Sequence, residues 1–206
     1  ALPVVAGFLL TAVATWTGIP GTTGWRLQLL FGLWLTARCL LWLLPGQLLF
    51  AWLAEMLFIA VLIYELTKRV WAVRQWRNML FPPVLLALAL FNSASYWNAD
   101  DPVLTTRLHY GALWMITVLI VIVGGRVIPL FTGNRLGLKI APLPAWFDYL
   151  AIGSTALIGL VTALWPLQDA NPALALLCLA GAIIHLIRLA YWQGWKTLGV
   201  PLLWSM

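Results

Sequence analysis

Residues 113–132 read LWMITVLIVIVGGRVIPLFT, and this stretch decides the kind of fold that the chain adopts. Residues 113–123 are apolar except for Thr117. Two glycines, Arg126 and Pro129 then follow in quick succession, so the run ends in a charge and a backbone that favours irregular conformations. This pattern predicts a helix that crosses a membrane and ends in a charged, broken segment at one defined depth.

The composition of the whole chain agrees with a membrane environment. Hydrophobic residues make up 63% of the 206 residues, charged residues make up 9%, and the mean hydropathy is +0.95. Since soluble domains have roughly a quarter charged residues, this chain has too few polar groups to cover a surface that faces water. The composition therefore predicts a polytopic membrane protein whose partner is the lipid bilayer. Many of the 14 tryptophans, including Trp25, Trp71 and Trp76, lie where an apolar run meets a polar one, as in interfacial belts.

Seven apolar runs are candidates for spanning helices, since a helix needs about 20 apolar residues to cross the hydrocarbon core. The runs cover about 1–16, 27–44, 48–66, 79–97, 108–130, 149–165 and 173–192, and an eighth would begin near residue 201. The predicted fold class is all-α, a polytopic transmembrane helix bundle that forms a single domain over residues 1–206. Because the chain starts within one apolar run and stops as another begins, we expect it to be the middle part of a longer protein.

The charges between the runs predict an orientation. Most basic residues lie at alternate ends of the runs, and these are Arg26, Lys68, Arg69, Arg74, Arg77, Arg126, Arg135, Lys139, Arg188 and Lys196. By the positive-inside rule these ends are cytoplasmic, so residue 1 is expected near the periplasmic side of a bacterial inner membrane and residue 206 near the cytoplasmic side. The net charge of +6 therefore indicates topology and not a nucleic-acid partner. Among the basic residues, only Arg38 is expected deep within a run.

Arg38 and Glu55 are the first candidate site, because ionisable residues at membrane depth usually have a function and a partner. Arg38 lies six residues before the end of the second run, and Glu55 lies seven residues after the start of the third. Both are then roughly 10 Å below the same membrane boundary, given the 1.5 Å rise per helical residue. We expect them to face each other as an intramembrane ion pair. The pair either orients the helix hairpin or offers the Arg38 charge to an anionic ligand or a cofactor carboxylate.

The two histidines and Arg126 are the remaining candidate cofactor-binding residues. His185 lies roughly 18 Å deeper in its run than His109 does in its own, so the two cannot both bind one haem iron through unbroken helices. Each is a candidate ligand or an interhelical hydrogen-bonding residue. Arg126 is either a positive-inside anchor at a frayed helix end or an anion contact aimed inward by the kink. No Walker loop, G-x-S-x-G elbow or H-E-x-x-H motif indicates an enzyme class.

Four sets of motifs follow one another along the chain. The first is AGFLLTAV at residues 6–13 with WTG at 16–18, and the second is WLTAR at 34–38. The third is GGRVIPLFT at 124–132, and the fourth is HLIRL at 185–189 with GWKTL at 194–198 and PLLW at 201–204. In this order the motifs resemble those of the NnrS family over nearly the whole chain. Ala14-Thr15 depart from the resemblance, since the family often has Pro-Asn there.

The resemblance implies a function that the residues alone do not. NnrS proteins are polytopic inner-membrane proteins of about twelve helices that carry haem and copper and are associated with denitrification and tolerance of nitric oxide. The resemblance therefore implies a haem- and copper-binding membrane protein of the nitric oxide response, with most metal ligands outside this chain. Arg38, Arg126 and His185 lie within the matched motifs, and His185 is the candidate metal ligand. One alternative is a small-solute transporter with Arg38 and Glu55 along its path, and another is a structural subunit.

Overall fold

The computed structural model describes residues 2–44, 46–137, 139–140, 143–165 and 172–197, and helices dominate these residues. Seven α-helices occur among them: α1 (Leu2–Thr17), α2 (Trp25–Leu43), α3 (Leu48–Ala72), α4 (Phe81–Trp97), α5 (Pro102–Leu136), α6 (Ala145–Leu164) and α7 (Pro172–Tyr191). Short 3-10 helices precede α4 (Trp76–Leu80) and follow α7 (Gly194–Thr197). No β-strand occurs in the described ranges, so the predicted all-α fold class is confirmed.

The helices match the predicted membrane spans in number and order. Six are long and apolar enough to cross a membrane, with α4 counted together with the 3-10 helix before it. The first helix, α1, is apolar but has only 16 residues, so it is not one of these six. The chain is therefore a multi-pass membrane protein. The eighth run, predicted to begin near residue 201, lies outside the described residues.

Helix α5 differs from its prediction. It runs without interruption for 35 residues, from Pro102 through Gly124, Gly125 and Pro129 to Leu136. The predicted helix end near residue 130 is therefore wrong, and so is the frayed end at Arg126. Pro129 removes one backbone donor from the helix. In lipid, however, ending the helix there would expose several more polar backbone groups, each at a cost of several kcal/mol, so continuing the helix is favoured.

The chain divides into two compact units, Ala1–His109 and Tyr110–Met206, and each is described by itself. In the first unit α3 is the central helix, because it packs against α1, α2 and α4. The buried face of α3 is largely apolar and includes Ala51, Phe58 and Leu62. That all of the helices form one domain stays a prediction.

In the second unit, small residues let the helices approach closely. Helices α6 and α7 pack against each other, and Gly181 of α7 lies where an added Cβ would be 3.1 Å from Ile158 Cδ1 of α6. Gly159 of α6 lies so close to Trp114 of α5 that an added Cβ would overlap the Trp114 Cβ. Such small residues are the usual means of close helix packing in membranes, where dispersion contacts contribute more than the hydrophobic effect.

Gly159→Ala should destabilise the protein, because the Trp114 Cβ is fixed to the α5 backbone and cannot rotate away. We expect the free energy of unfolding to fall by about 1–3 kcal/mol, as in other overpacked sites. Gly153→Ala in the same helix is the matched control, since nothing lies within 4 Å of its added Cβ. It should be neutral or stabilise by up to about 1 kcal/mol through helix propensity. Thermal unfolding of both variants in detergent measures the difference, and equal melting temperatures would contradict the packing described.

Candidate functional site

Arg188 of α7 is a buried cation that joins three helices of the second unit. Its side chain is 2% exposed, and its Nη2 lies 3.0 Å from Oδ1 of Asp148, which is in the first turn of α6. Its Nε donates to the same carboxylate oxygen at 3.1 Å, and its Nη2 also donates to the Val121 carbonyl of α5 at 3.2 Å. The guanidinium therefore connects α5, α6 and α7 through charge-assisted hydrogen bonds.

Gly125 provides the space that Arg188 occupies. A Cβ at position 125 would overlap Nη2 of Arg188, whereas a Cβ at Gly124 would only touch Ile128 Cδ1 at 3.4 Å. The other side of the guanidinium lies over the Trp192 ring, with Arg188 Cζ 4.9 Å from the ring centroid, within the range of a cation–π interaction. Two motifs that are distant in sequence, GGRVIPLFT at 124–132 and HLIRL at 185–189, thus meet at one cluster.

The sequence predicts Arg188 at a helix end, and the structure has it in the last turn of α7. What the sequence does not indicate is that this side chain is buried, with only 2% of it exposed. Its partner Asp148 was missed because it precedes the predicted sixth run by one residue. The rarity of carboxylates in this part of the sequence could have indicated it, since Asp148 is the only carboxylate between Asp101 and Asp169.

His185 lies one helical turn before Arg188 and contacts α6. Its Nε2 is 3.0 Å from Oγ1 of Thr155, and that hydroxyl also lies 2.8 Å from the Ala151 carbonyl. A threonine hydroxyl has one proton to donate. If the proton goes to Ala151, His185 Nε2 is the donor and Nδ1 carries the lone pair. If it goes to His185, Nε2 is the acceptor. In both arrangements Thr155 orients the imidazole ring, and Nε2 is hydrogen-bonded to the threonine hydroxyl.

The other two cofactor candidates, Arg126 and His109, both lie in α5. Arg126 is half-buried and next in sequence to Gly125, and the guanidinium that approaches Gly125 is that of Arg188. His109 is exposed in the first part of α5. Whether Arg126 is an anchor or an anion contact stays a prediction, as does a ligand role for His109.

In the first unit, the structure brings Arg38 and Glu55 together. Arg38 Nη2 of α2 lies 2.5 Å from Oε1 of Glu55 in α3, and the Tyr96 hydroxyl of α4 donates to Oε2 at 2.8 Å. Both carboxylate oxygens of Glu55 therefore have donors. The Glu55 side chain is 8% exposed and that of Arg38 is 38% exposed. Tyr96 is the member of this three-helix cluster whose role the sequence did not indicate.

A second buried carboxylate lies further along α3. Glu65 is buried, and its Oε2 accepts a bond from Arg69 Nη1 at 3.0 Å. Arg69, predicted as a loop charge, is buried as well. The two lie one turn apart on one face of the helix, the spacing at which side chains meet.

The described residues do not by themselves fit a haem or copper site. Among them, no group of three or more His, Cys, Asp or Glu side chains is close enough to hold a metal ion. Cys39 and Cys178 are free and exposed. Of the candidate ligands, only His185 is held by a neighbouring helix, and it could supply one imidazole.

Comparison with known proteins identifies a family for this chain. The family model described as NnrS protein matches residues 1–206, which is the whole chain. No curated protein and no solved structure matches the chain.

Gly125→Ala should displace Arg188 from Asp148 and Val121, because the new methyl group would occupy the position of Nη2. Since a buried charge would lose its partner, we expect the free energy of unfolding to fall by about 3 kcal/mol. Gly124→Ala is the adjacent control and should change it by less than about 1 kcal/mol. Chemical unfolding of the purified variants provides the measurement.

The loss of the Arg188–Asp148 ion pair can also be tested with a variant of Asp148. If Gly125→Ala acts through the ion pair, its effect should shrink when it is combined with Asp148→Asn, because the pair is then already lost. Fully additive effects of Gly125→Ala and Asp148→Asn would contradict the coupling.

Proposed function

Because the chain belongs to the NnrS family, we propose that it is part of an integral membrane protein of the nitric oxide response that binds haem and copper. The match of the family model over residues 1–206 is the observation that carries this proposal. We further propose a bacterial inner membrane as its location, with residue 1 on the periplasmic side and residue 206 on the cytoplasmic side. Nitric oxide is the proposed small-molecule partner.

His185 is the residue of this chain proposed to ligate metal. Metal-ligating histidines commonly have their other ring nitrogen hydrogen-bonded, which fixes the tautomer and the orientation of the ring. The contact between His185 Nε2 and Thr155 Oγ1 is of this kind in the arrangement in which Nε2 donates, and Nδ1 would then be the ligand atom. Since the described residues supply no complete donor set, the remaining ligands are proposed to lie outside them.

The neighbouring residues would hold this imidazole in place. Arg188 lies one turn further along α7 and is fixed by Asp148 and Val121, so the α6–α7 contact at Thr155 and His185 is supported from the adjacent turn. A neutral imidazole is the form that binds metals.

His185→Ala in the full-length protein should lower the haem or copper content per folded protein, because one imidazole is lost. The Soret absorbance and elemental analysis of purified protein measure the two contents, and size-exclusion chromatography reports folding. Thr155→Val should give a smaller loss, since it leaves the imidazole and removes only its hydrogen bond. His109→Ala tests the second candidate, and a lower haem or copper content in this variant would assign His109 to the ligands.

Two outcomes would contradict this proposal at different levels. Unchanged metal contents in His185→Ala would remove His185 from the ligands while leaving the function intact. Wild-type protein without a Soret band and without copper would contradict the proposed function itself.

The second proposal is a small-solute transporter with Arg38 and Glu55 along its path. The partial exposure of Arg38, at 38% of its side chain, is the observation that favours it, since the guanidinium has an open side beside its buried partner. Against it, both Glu55 oxygens already have donors from neighbouring helices, which favours an ion pair that fixes helix packing.

Arg38→Gln distinguishes the packing role of this ion pair from a binding role. For a packing role we expect the free energy of unfolding to fall by about 1 kcal/mol, a modest value because the Arg38 side chain is partly exposed. The haem content per folded protein should then stay unchanged. Thermal unfolding and the Soret absorbance of the same sample measure both quantities. Unaltered stability with lost haem would instead assign Arg38 to cofactor binding.

A further inference from the structure

A cavity of about 430 Å³ lies between the loop that follows α1 and the end of α3. Its volume falls in the range of small-molecule sites, which is about 300–1,000 Å³. Three cationic residues, Arg26, Lys68 and Arg69, form part of its wall together with Thr22 and Thr23. None of the described residues that line it is acidic.

One carboxylate beside this pocket leaves most of its positive charge uncompensated. Buried Glu65 accepts bonds from Arg69 Nη1 at 3.0 Å and from Thr22 Oγ1 at 3.3 Å, and its Oε1 lies 3.7 Å from Arg26 Nη1. Arg69 Nε also donates to the Pro20 carbonyl at 3.2 Å, so this guanidinium is fixed between the loop and α3. Three cations and one carboxylate leave a local charge of +2.

Lys68 is the cation that a ligand would meet first. It is exposed, and it forms no ion pair with any residue in the described ranges. Its Nζ lies 5.9 Å from the centroid of the Tyr64 ring. Arg26 is also accessible, with 43% of its side chain exposed, and its guanidinium lies over the Trp25 ring at 5.6 Å.

The backbone beside the pocket also favours an anion. Helix α2 begins at Trp25, and its N-cap, Gly24, provides no side-chain hydrogen bond to the first turn. The first backbone N–H groups of a helix have no partner within it, and the helix dipole makes this end positive. Since Trp25 and Arg26 belong both to this turn and to the wall of the pocket, the positive helix end adds to the charge of the side chains.

The surrounding tryptophans indicate the depth of the pocket in the membrane. Trp25, Trp71 and Trp76 are all exposed, and the rings of Trp71 and Trp76 contact each other at 5.6 Å. Exposed indoles concentrate at the level of the lipid headgroups. Basic pockets between membrane helices at this level bind phosphate-bearing headgroups.

We propose that this pocket binds a phosphate group, with an anionic phospholipid headgroup as its favoured source and a soluble phosphate compound as the other. Lys68 and Arg26 contact the phosphate, while Arg69, held by Glu65 and Pro20, supplies a fixed charge behind them. This site is independent of the proposed metal chemistry.

Binding to delipidated full-length protein tests the site with two probes. Native mass spectrometry measures phosphatidylglycerol bound from mixed micelles, and calorimetry measures inorganic phosphate. Lys68→Gln and Arg26→Gln should each weaken binding about fivefold, as expected for one lost charge near a headgroup. Arg135→Gln, which removes an exposed charge outside the pocket, should leave binding unchanged. Melting temperatures check folding, and Lys68→Gln has priority because Lys68 forms no ion pair with a described residue.

The pattern of losses decides between the sources. Weaker phosphatidylglycerol binding without measurable binding of inorganic phosphate supports a lipid headgroup. Weaker binding of inorganic phosphate in the same variants supports a soluble phosphate compound. The proposal is overturned if neither probe binds wild-type protein, or if Lys68→Gln and Arg26→Gln bind both probes as tightly as Arg135→Gln does.

Discussion

The absence of water between packed helices is the constraint on which the rest of this structure depends. A cation placed there has no solvent shell, so the protein must provide its partners, and Arg188 receives them from Asp148, Val121 and the Trp192 ring. Because these partners lie on different turns and helices, meeting the needs of one guanidinium fixes the relative positions of α5, α6 and α7. Helix packing in this unit is therefore specified by electrostatics as much as by shape.

In the first unit the same constraint applies to a buried negative charge. There the buried group is the Glu55 carboxylate, and its donors come from Arg38 in α2 and Tyr96 in α4. A buried ion pair often adds little net stability compared with apolar residues of similar size, because desolvation offsets the attraction. What it adds is a penalty for wrong helix registers, in which one charge would be left without its partner.

The sequence predicted the spans and one charge pair but not the others, for identifiable reasons. Hydropathy locates helices because the bilayer thickness sets their length, and Arg38 and Glu55 could be paired because consecutive antiparallel helices share a depth. Arg188 and Asp148 lie near helix ends, where charges usually set topology, and no local pattern tells which face of a helix meets which neighbour. Thr155 gave no signal at all, since a threonine in a membrane helix most often bonds its own backbone.

The spacing of Gly125 and Pro129 has a consequence for the backbone of α5. In a regular helix the N–H of residue 129 would bond to the carbonyl of residue 125, and proline has no N–H to give. The residue that admits the Arg188 guanidinium by lacking a side chain is thus also the residue whose carbonyl loses its helical donor. Gly125 and Pro129 thus act on the same turn of α5. Gly125 acts sterically, because it lacks a side chain, and Pro129 acts electrostatically, because it lacks a backbone N–H. This turn of α5 therefore has space for a neighbouring side chain and a carbonyl without its helical donor, although the helix itself is continuous.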